Sequence, residues 1–151
     1  MPIRVIYLRP RSVCFPGRWR LCAVSALWPP WSLCPTVTCV DADTEGLRSL
    51  LSPWVSDFFP SCRVGYTKPD PRAFQAAVDH FGVRPDRVIH VGDDWACDIV
   101  GALESGIKAV WISRGRQVPD DSLVVDHGVL VATDLAAAAA HITHLAAGNL
   151  E

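Results

Sequence analysis

From residue 36 onward, the chain alternates between short apolar runs and segments with helical periodicity. The apolar runs Val88–Val91 and Ile107–Ile112 are typical of strands buried on both faces of a parallel sheet. Residues 71–81 and 95–105 carry apolar side chains at helical spacing, which predicts a helix before and after the first of these strands. Strands that alternate with helices indicate an α/β domain with a parallel sheet and flanking helices.

Local signals add further elements to this pattern. Asp70 is a favourable N-cap and Pro71 fits the first helical position, while Gly82 is placed to end that helix. Asp134 is placed to cap an alanine-rich helix that runs to about Leu145. We also expect a helix over residues 45–51 and short strands over residues 3–8, 36–40, 61–65 and 124–131.

The first 36 residues do not share this periodicity. They are rich in Pro, Trp and Cys, and residues 1–40 contain five Arg and no Asp or Glu, whereas all 16 acidic residues follow. Prolines at this density interrupt both helices and strand ladders. We therefore expect residues 1–36 to be irregular and poorly ordered, and residues 37–147 to form the domain. The abrupt change in composition favours the hypothesis that residues 1–36 are not the ancestral start of this domain.

Charge, hydropathy and cysteine spacing narrow the classes of partner. The net charge of −2 gives no general argument for binding nucleic acid or a membrane surface. No apolar run reaches the ~18 residues that a membrane-spanning helix needs. The six cysteines form no CxxC pair, and reduced thiols in the cytoplasm are the simplest interpretation. We therefore expect a cytoplasmic protein with neither a nucleic-acid nor a membrane partner.

Three carboxylates follow the apolar run at residues 88–91. Gly92 is followed directly by Asp93 and Asp94, and Asp98 lies at the start of the next helical segment. Ligands of open α/β sheets bind at the carboxyl ends of the strands. Three acids held close together need a neutralising cation, and a few carboxylate oxygens suit Mg²⁺. The residues alone therefore predict a magnesium site at this edge of the sheet.

The combination of two motifs carries a family resemblance. The sequence Lys68-Pro-Asp-Pro71, followed by a helix and a strand and then by Gly92-Asp93-Asp94, resembles the C-terminal half of the haloacid dehalogenase-like (HAD-like) hydrolases. This superfamily consists mostly of phosphatases with a Rossmann-like core. The resemblance implies a partial Rossmann-like (HAD-like) parallel sheet with flanking helices, whose first strand and cap are missing.

The same resemblance implies roles for individual residues. Lys68 stands at the position of the lysine that steadies the nucleophile and the phosphoryl group in this family. Asp93 and Asp98 match the acids that bind Mg²⁺, and Asp94 is a further candidate ligand. Alternatively, Asp94 and Asp98 are simply favourable acids at a helix N-terminus.

The family also uses an aspartate nucleophile in the motif Asp-x-Asp-x-Thr, after its first strand. Asp41-Ala-Asp-Thr44 has the right Asp-x-Asp spacing and follows an apolar strand, so Asp41 is the candidate nucleophile. The spacing argues against it, because residues 45–67 leave no room for the family's second motif. In the alternative interpretation, Asp41 follows the second-motif strand and the first-motif nucleophile is absent.

Two functional classes follow from these expectations. The first is a magnesium-dependent, phosphatase-type hydrolase of a small phosphorylated metabolite, which uses Lys68, Asp93 and Asp98. The second is a non-catalytic, truncated remnant, or a fragment that binds a partner through an exposed sheet edge. The residues do not indicate the substrate or the oligomeric state.

Overall fold

One parallel sheet organises the protein, whose computed structural model describes residues 4–7, 31–33, 44–51 and 55–147. Each strand runs in the same direction as its neighbours, as expected of a Rossmann-like α/β fold. The strands of this sheet are β1 (Arg4–Tyr7), β2 (Trp31–Leu33), β3 (Val55–Phe58), β4 (Val88–Gly92), β5 (Lys108–Ile112) and β6 (Leu130–Ala132).

The sheet has the strand order β3-β2-β1-β4-β5-β6. The chain winds outward in one direction from β1 to β3 and then in the other direction from β4 to β6. The reversal lies between β1 and β4, which pair in parallel with Tyr7 opposite Val91. In doubly wound sheets, the crevice beyond the carboxyl ends of such a strand pair is the usual ligand site.

The expectation that the sheet lacks its first strand is wrong, because β1 pairs with both β2 and β4. β1 lies within the short strand expected over residues 3–8, whereas β2 lies in the part of the N-terminal segment where no strand was expected. The strand expected over residues 36–40 and the candidate nucleophile Asp41 lie outside the described residues. The boundary between the N-terminal segment and the domain stays a prediction.

The helices flank the sheet as the periodicity predicts. Residues 95–105 were expected to form one helix, and they begin as a π-helical segment (Trp95–Val100) that continues into an α-helix. π-Helical turns are frequent at functional sites. The α-helices are α1 (Thr44–Leu51), α2 (Ser61–Val64), α3 (Pro71–Phe81), α4 (Gly101–Glu104), α5 (Asp121–His127) and α6 (Leu135–Ala147). No helix in the described part of the chain is long and apolar enough to cross a membrane.

Two short segments differ from their predicted conformation. Residues 61–65 were expected to form a strand, but they form α2, which ends at Gly65 with a positive φ of 84° and an N–H bond to the Ser61 carbonyl. A strand was expected within residues 124–131, but α5 extends to His127, and β6 begins only at Leu130. Asp120 caps α5 by accepting a hydrogen bond from the Ser122 N–H, which favours helix over strand there.

The sheet buries side chains on both of its faces. On one face, Val88 of β4 packs with Phe74 of α3 and Ile99 of the π-helical segment. On the other face, Ile89 and Val91 of β4 pack with Ile142 of α6 in a second core. All five residues of β4 are buried, as expected of a central parallel strand. The carboxyl end of β4 is therefore held from both sides, and the loop that follows it starts from a rigid position.

The second core gives a test of this architecture. We expect Ile142→Ala, at a side chain that is 0% exposed, to lower the free energy of unfolding by about 3 kcal/mol, because it leaves a cavity between α6 and the sheet. The control Val125→Ala, at a side chain that is 79% exposed, should change it by less than about 0.5 kcal/mol. Urea unfolding measures both changes, and equal losses would contradict the described packing.

Candidate functional site

The loop after β4 is built on a close contact between Gly92 and Asp98. A Cβ atom added at Gly92 would lie 2.4 Å from the Cβ, Cγ and Oδ2 atoms of Asp98, so no larger residue fits without a shift. Asp98 lies on the π-helical segment and is 1% exposed. The glycine therefore allows a buried carboxylate to lie directly against the end of the strand.

Asp98 is surrounded by hydrogen-bond donors. Its Oδ1 lies 2.5 Å from Lys68 Nζ and 3.4 Å from His90 Nε2. Its Oδ2 accepts hydrogen bonds from the backbone N–H groups of Asp93 and Asp94, at 3.2 and 3.1 Å. Burial alone would raise the pKa of Asp98, but the hydrogen bonds from His90 and Lys68 and the charge of Lys68 hold it at about 2. Asp98 is therefore an ionised anchor that fixes both the lysine and the acidic loop.

Lys68 reaches this anchor from the loop that precedes α3. Its side chain is 5% exposed, and its ion pair with Asp98 joins residues that are 30 positions apart. Asp70 caps α3 by accepting a hydrogen bond from the Arg72 N–H at 2.9 Å, which fixes the loop that carries Lys68. The structure thus brings together the lysine and the acids that the sequence analysis placed in one site, while their roles stay predictions.

His90 lies beneath this ion pair on β4. Its ring is fully buried and packs edge-to-face on Phe74, with ring centroids 5.1 Å apart. Burial lowers the pKa of His90, against the opposing effect of Asp98, so the imidazole is neutral near pH 7. Its Nδ1 has no hydrogen-bond partner among the described residues.

Asp93 differs from Asp98 because one of its carboxylate oxygens lacks a hydrogen-bond partner among the described residues. Its Oδ2 lies 3.0 Å from a guanidinium nitrogen of Arg114, whereas its buried Oδ1 has no hydrogen-bond partner within the described residues. Burial raises the pKa of Asp93, and the positive charge of Arg114 opposes that rise. Its backbone carbonyl accepts hydrogen bonds from Trp111 Nε1 and from Arg116, at 3.2 and 2.6 Å.

The two arginines of this site were missed by sequence reasoning. Arg114 and Arg116 lie in the loop after β5, the strand next to β4 in the sheet. The carboxyl ends of neighbouring parallel strands meet at one edge, which was the available signal for both residues. No periodicity or motif in the sequence singles them out.

Asp94 and Asp41 are the remaining candidate residues. Asp94 caps the π-helical segment by accepting a hydrogen bond from the Cys97 N–H at 2.9 Å, which agrees with its alternative interpretation as a helix-terminal acid. Its role as a metal ligand stays a prediction. Asp41, the candidate nucleophile, lies outside the described residues.

The described acidic residues offer few ligands for Mg²⁺. Within residues 4–7, 31–33, 44–51 and 55–147, no group of three or more His, Cys, Asp or Glu side chains is arranged to hold a metal ion. Asp93 nevertheless offers one buried carboxylate oxygen without a hydrogen-bond partner in this part of the chain. Because Mg²⁺ is often held by one or two carboxylates and keeps several waters, the residues fit a hydrated Mg²⁺ bound through Asp93.

Comparison with known proteins identifies the family. A sequence profile described as HAD-hydrolase-like matches residues 65–141, which include Lys68, Asp93, Asp98 and Arg114. The chain belongs to the HAD-like hydrolase family. The resemblance drawn from the Lys68 and Gly92 motifs is therefore confirmed, and so is the Rossmann-like α/β fold class.

Two curated relatives of this HAD-like chain are phosphatases by name. It is 46% identical over 61 residues to a phosphoserine phosphatase from Thermus thermophilus, and the matched region covers 40% of this chain and 24% of the relative. It is 34% identical over 85 residues to a glyceraldehyde 3-phosphate phosphatase from Pyrococcus furiosus, and the matched region covers 54% of this chain and 35% of the relative. The chain thus spans about a quarter to a third of the length of these relatives.

A solved structure with the same fold is a 2-haloacid dehalogenase from Pseudomonas syringae. It superimposes with a TM-score of 0.52 and 25% sequence identity, over 61% of this chain and 38% of the dehalogenase. The family therefore includes relatives named for carbon–halogen and for phosphate-ester chemistry, and the fold alone does not choose between them.

The buried ion pair predicts the largest stability effect at this site. We expect Asp98→Asn to lower the free energy of unfolding by about 3–5 kcal/mol, because it leaves the ammonium of Lys68 buried without a counter-charge. In a Lys68→Met background, the same change should cost much less. Urea unfolding of the four proteins in this double-mutant cycle measures the coupling.

An exposed ion pair provides the control for this cycle. Arg84 and Asp86 pair at 2.5 Å, with side chains that are 81% and 47% exposed. Arg84→Gln should leave the urea midpoint unchanged, because solvent screens such a pair. If the effects of Lys68→Met and Asp98→Asn simply add, the buried pair is not the anchor of this loop.

Proposed function

We propose that this chain carries the phosphoryl- and cation-binding part of a phosphatase-type HAD-like hydrolase that acts on a small phosphorylated metabolite with Mg²⁺. The observation that carries the proposal is the ammonium of Lys68 held 2.5 Å from Asp98. At the same end of β4, Asp93 has a buried carboxylate oxygen without a hydrogen-bond partner among the described residues. A fixed ammonium suits a phosphoryl group, whose negative charge must be neutralised during transfer. A carboxylate oxygen without a hydrogen-bond partner suits the metal ion.

Each described residue has a distinct proposed task. Lys68 binds the phosphoryl oxygens, and Asp98 holds the lysine in place. Asp93 would hold Mg²⁺ through its Oδ1 atom, which has no hydrogen-bond partner among the described residues. The bound ion would neutralise charge on the phosphoryl group as a Lewis acid. Arg116 and Trp111 fix the backbone of Asp93 through its carbonyl, which keeps the carboxylate oriented.

The relatives support the choice of a phosphate ester. The curated relatives named above are phosphatases of phosphoserine and of glyceraldehyde 3-phosphate. Phosphatases of this family generally use Mg²⁺. The match to those two relatives covers 61 and 85 residues, so the identity of the metabolite does not transfer with it.

A second candidate function, phosphate binding without catalysis, is favoured by the sequence at the end of β1. The end of β1 lies beside the end of β4, because Tyr7 pairs with Val91. The residue after β1 is Leu8, and residues 1–40 contain no Asp or Glu. A leucine cannot attack phosphorus, so covalent turnover requires Asp41 or a carboxylate from another chain.

Binding of inorganic phosphate tests the proposed role of Lys68. We expect Lys68→Met to weaken Mg²⁺-dependent phosphate binding by at least about tenfold, because it removes a charge-assisted hydrogen bond in a buried site. Isothermal titration with phosphate in MgCl₂ measures the change. Lys108, the second lysine of the chain, is exposed at the opposite end of β5, so Lys108→Met serves as the matched control. Equal affinities of the two variants would refute the site.

Turnover separates the two candidate functions. If the chain is a hydrolase that uses Asp41, p-nitrophenyl phosphate should be hydrolysed only with Mg²⁺, and both Asp41→Asn and Asp93→Asn should abolish the reaction. If the chain only binds phosphate, the wild-type protein should show no hydrolysis above the uncatalysed rate while its phosphate affinity persists. Activity that survives Asp41→Asn would exclude Asp41 as the nucleophile.

A further inference from the structure

Arg114 has an unusual backbone conformation at the edge of the site. It is the one non-glycine residue in the described part of the chain with a positive φ, at 53°, and it precedes Gly115 with a φ of 78°. Backbone hydrogen bonds from Ser113 to Ala132 and from Arg114 to Thr133, at 2.8 and 3.2 Å, hold the loop in this conformation. Strained residues of this kind persist where the surrounding structure fixes them, and they cluster at ligand sites.

This conformation brings the Arg114 side chain to the carboxylate of Asp93. Its guanidinium lies 3.0 Å from Asp93 Oδ2, with 57% of the arginine side chain exposed and only 9% of the aspartate side chain. Arg114 is the only ion-pair partner that the described residues provide for Asp93. Most of the exposed surface of this ion pair therefore belongs to the arginine.

Arg116, two residues further on, is held quite differently. Its guanidinium donates to the backbone carbonyls of Ser113, Asp93 and Ile112, at 2.9, 2.6 and 3.2 Å. It also lies over the Trp111 ring, 5.3 Å from the centroid. Arg116 is thus fixed in the scaffold, whereas Arg114 has one carboxylate partner and an open path into solvent.

We propose that Arg114 is the resident counter-ion of Asp93, which a divalent cation must displace, so that Arg114 sets the affinity of the site for that cation. A guanidinium and a divalent cation on one carboxylate repel each other, and the exposed arginine is the group that moves away. The counter-ion role stands on the described contact alone. The displacement rests on the proposed function, since it requires a cation to bind at Asp93.

The counter-ion role is tested without metal. In EDTA, we expect Arg114→Gln to lower the melting temperature by about 2 °C in the wild-type background and to have no effect in an Asp93→Asn background. Glutamine keeps a non-glycine residue at the positive φ, so the backbone strain is unchanged. Arg114→Lys keeps the positive charge and should restore most of the loss.

The displacement is tested by titrating MgCl₂ and following the melting temperature of each protein. We expect Arg114→Gln to bind Mg²⁺ about fivefold more tightly than the wild-type protein, because a competing ion pair has been removed. Arg114→Lys should lie close to wild type. Arg84→Gln removes an even more exposed arginine from an ion pair at the opposite end of β4 and should leave the affinity unchanged.

Each outcome decides one part of the proposal. A melting temperature in EDTA that falls equally in both backgrounds overturns the counter-ion role. Affinity for Mg²⁺ that is equal or weaker in Arg114→Gln overturns the displacement. If neither protein binds Mg²⁺ while the coupling in EDTA persists, the metal site of the proposed function fails together with the displacement, and the counter-ion role stands.

Discussion

The buried ion pair between Lys68 and Asp98 is the constraint on which the site depends. Two charges removed from water are tolerated only where further hydrogen bonds complete their coordination, and Asp98 receives donors on both oxygens. This requirement fixes the loop after β4, because the backbone N–H groups of Asp93 and Asp94 must point at one carboxylate. It also requires a glycine at position 92, where any side chain would collide with Asp98.

The same constraint divides the tasks of the three neighbouring acids. Asp98 pairs with Lys68, and Asp94 accepts a hydrogen bond that caps the π-helical segment. Only Asp93 keeps a buried carboxylate oxygen without a hydrogen-bond partner in the described structure. Three carboxylates that look equivalent as a sequence motif therefore have different chemistry, because their positions relative to one lysine and one helix start differ.

The sequence predicted those features that depend on periodicity and local caps. β4 and β5 were recognisable as apolar runs, and α3 by Asp70 and Gly82. The meeting of Lys68 with the acids was implied by the family resemblance, not by periodicity or caps. The short helix α2 was missed, because its end depends on the backbone of a single glycine. Arg114 was missed for a similar reason, since its contact with Asp93 depends on a positive φ that the sequence pattern does not show.

The described site balances its buried charges without an acid from residues 1–40, which contain no Asp or Glu. In an open site, Lys68 would depend on a substrate or a second carboxylate for compensation, but Asp98 already pairs with it inside the protein. Asp93 is compensated in turn by Arg114. Each buried charge thus has a partner within residues 65–141, the range that matches the family. An acid after β1 is therefore not needed to pair any buried charge that the structure describes.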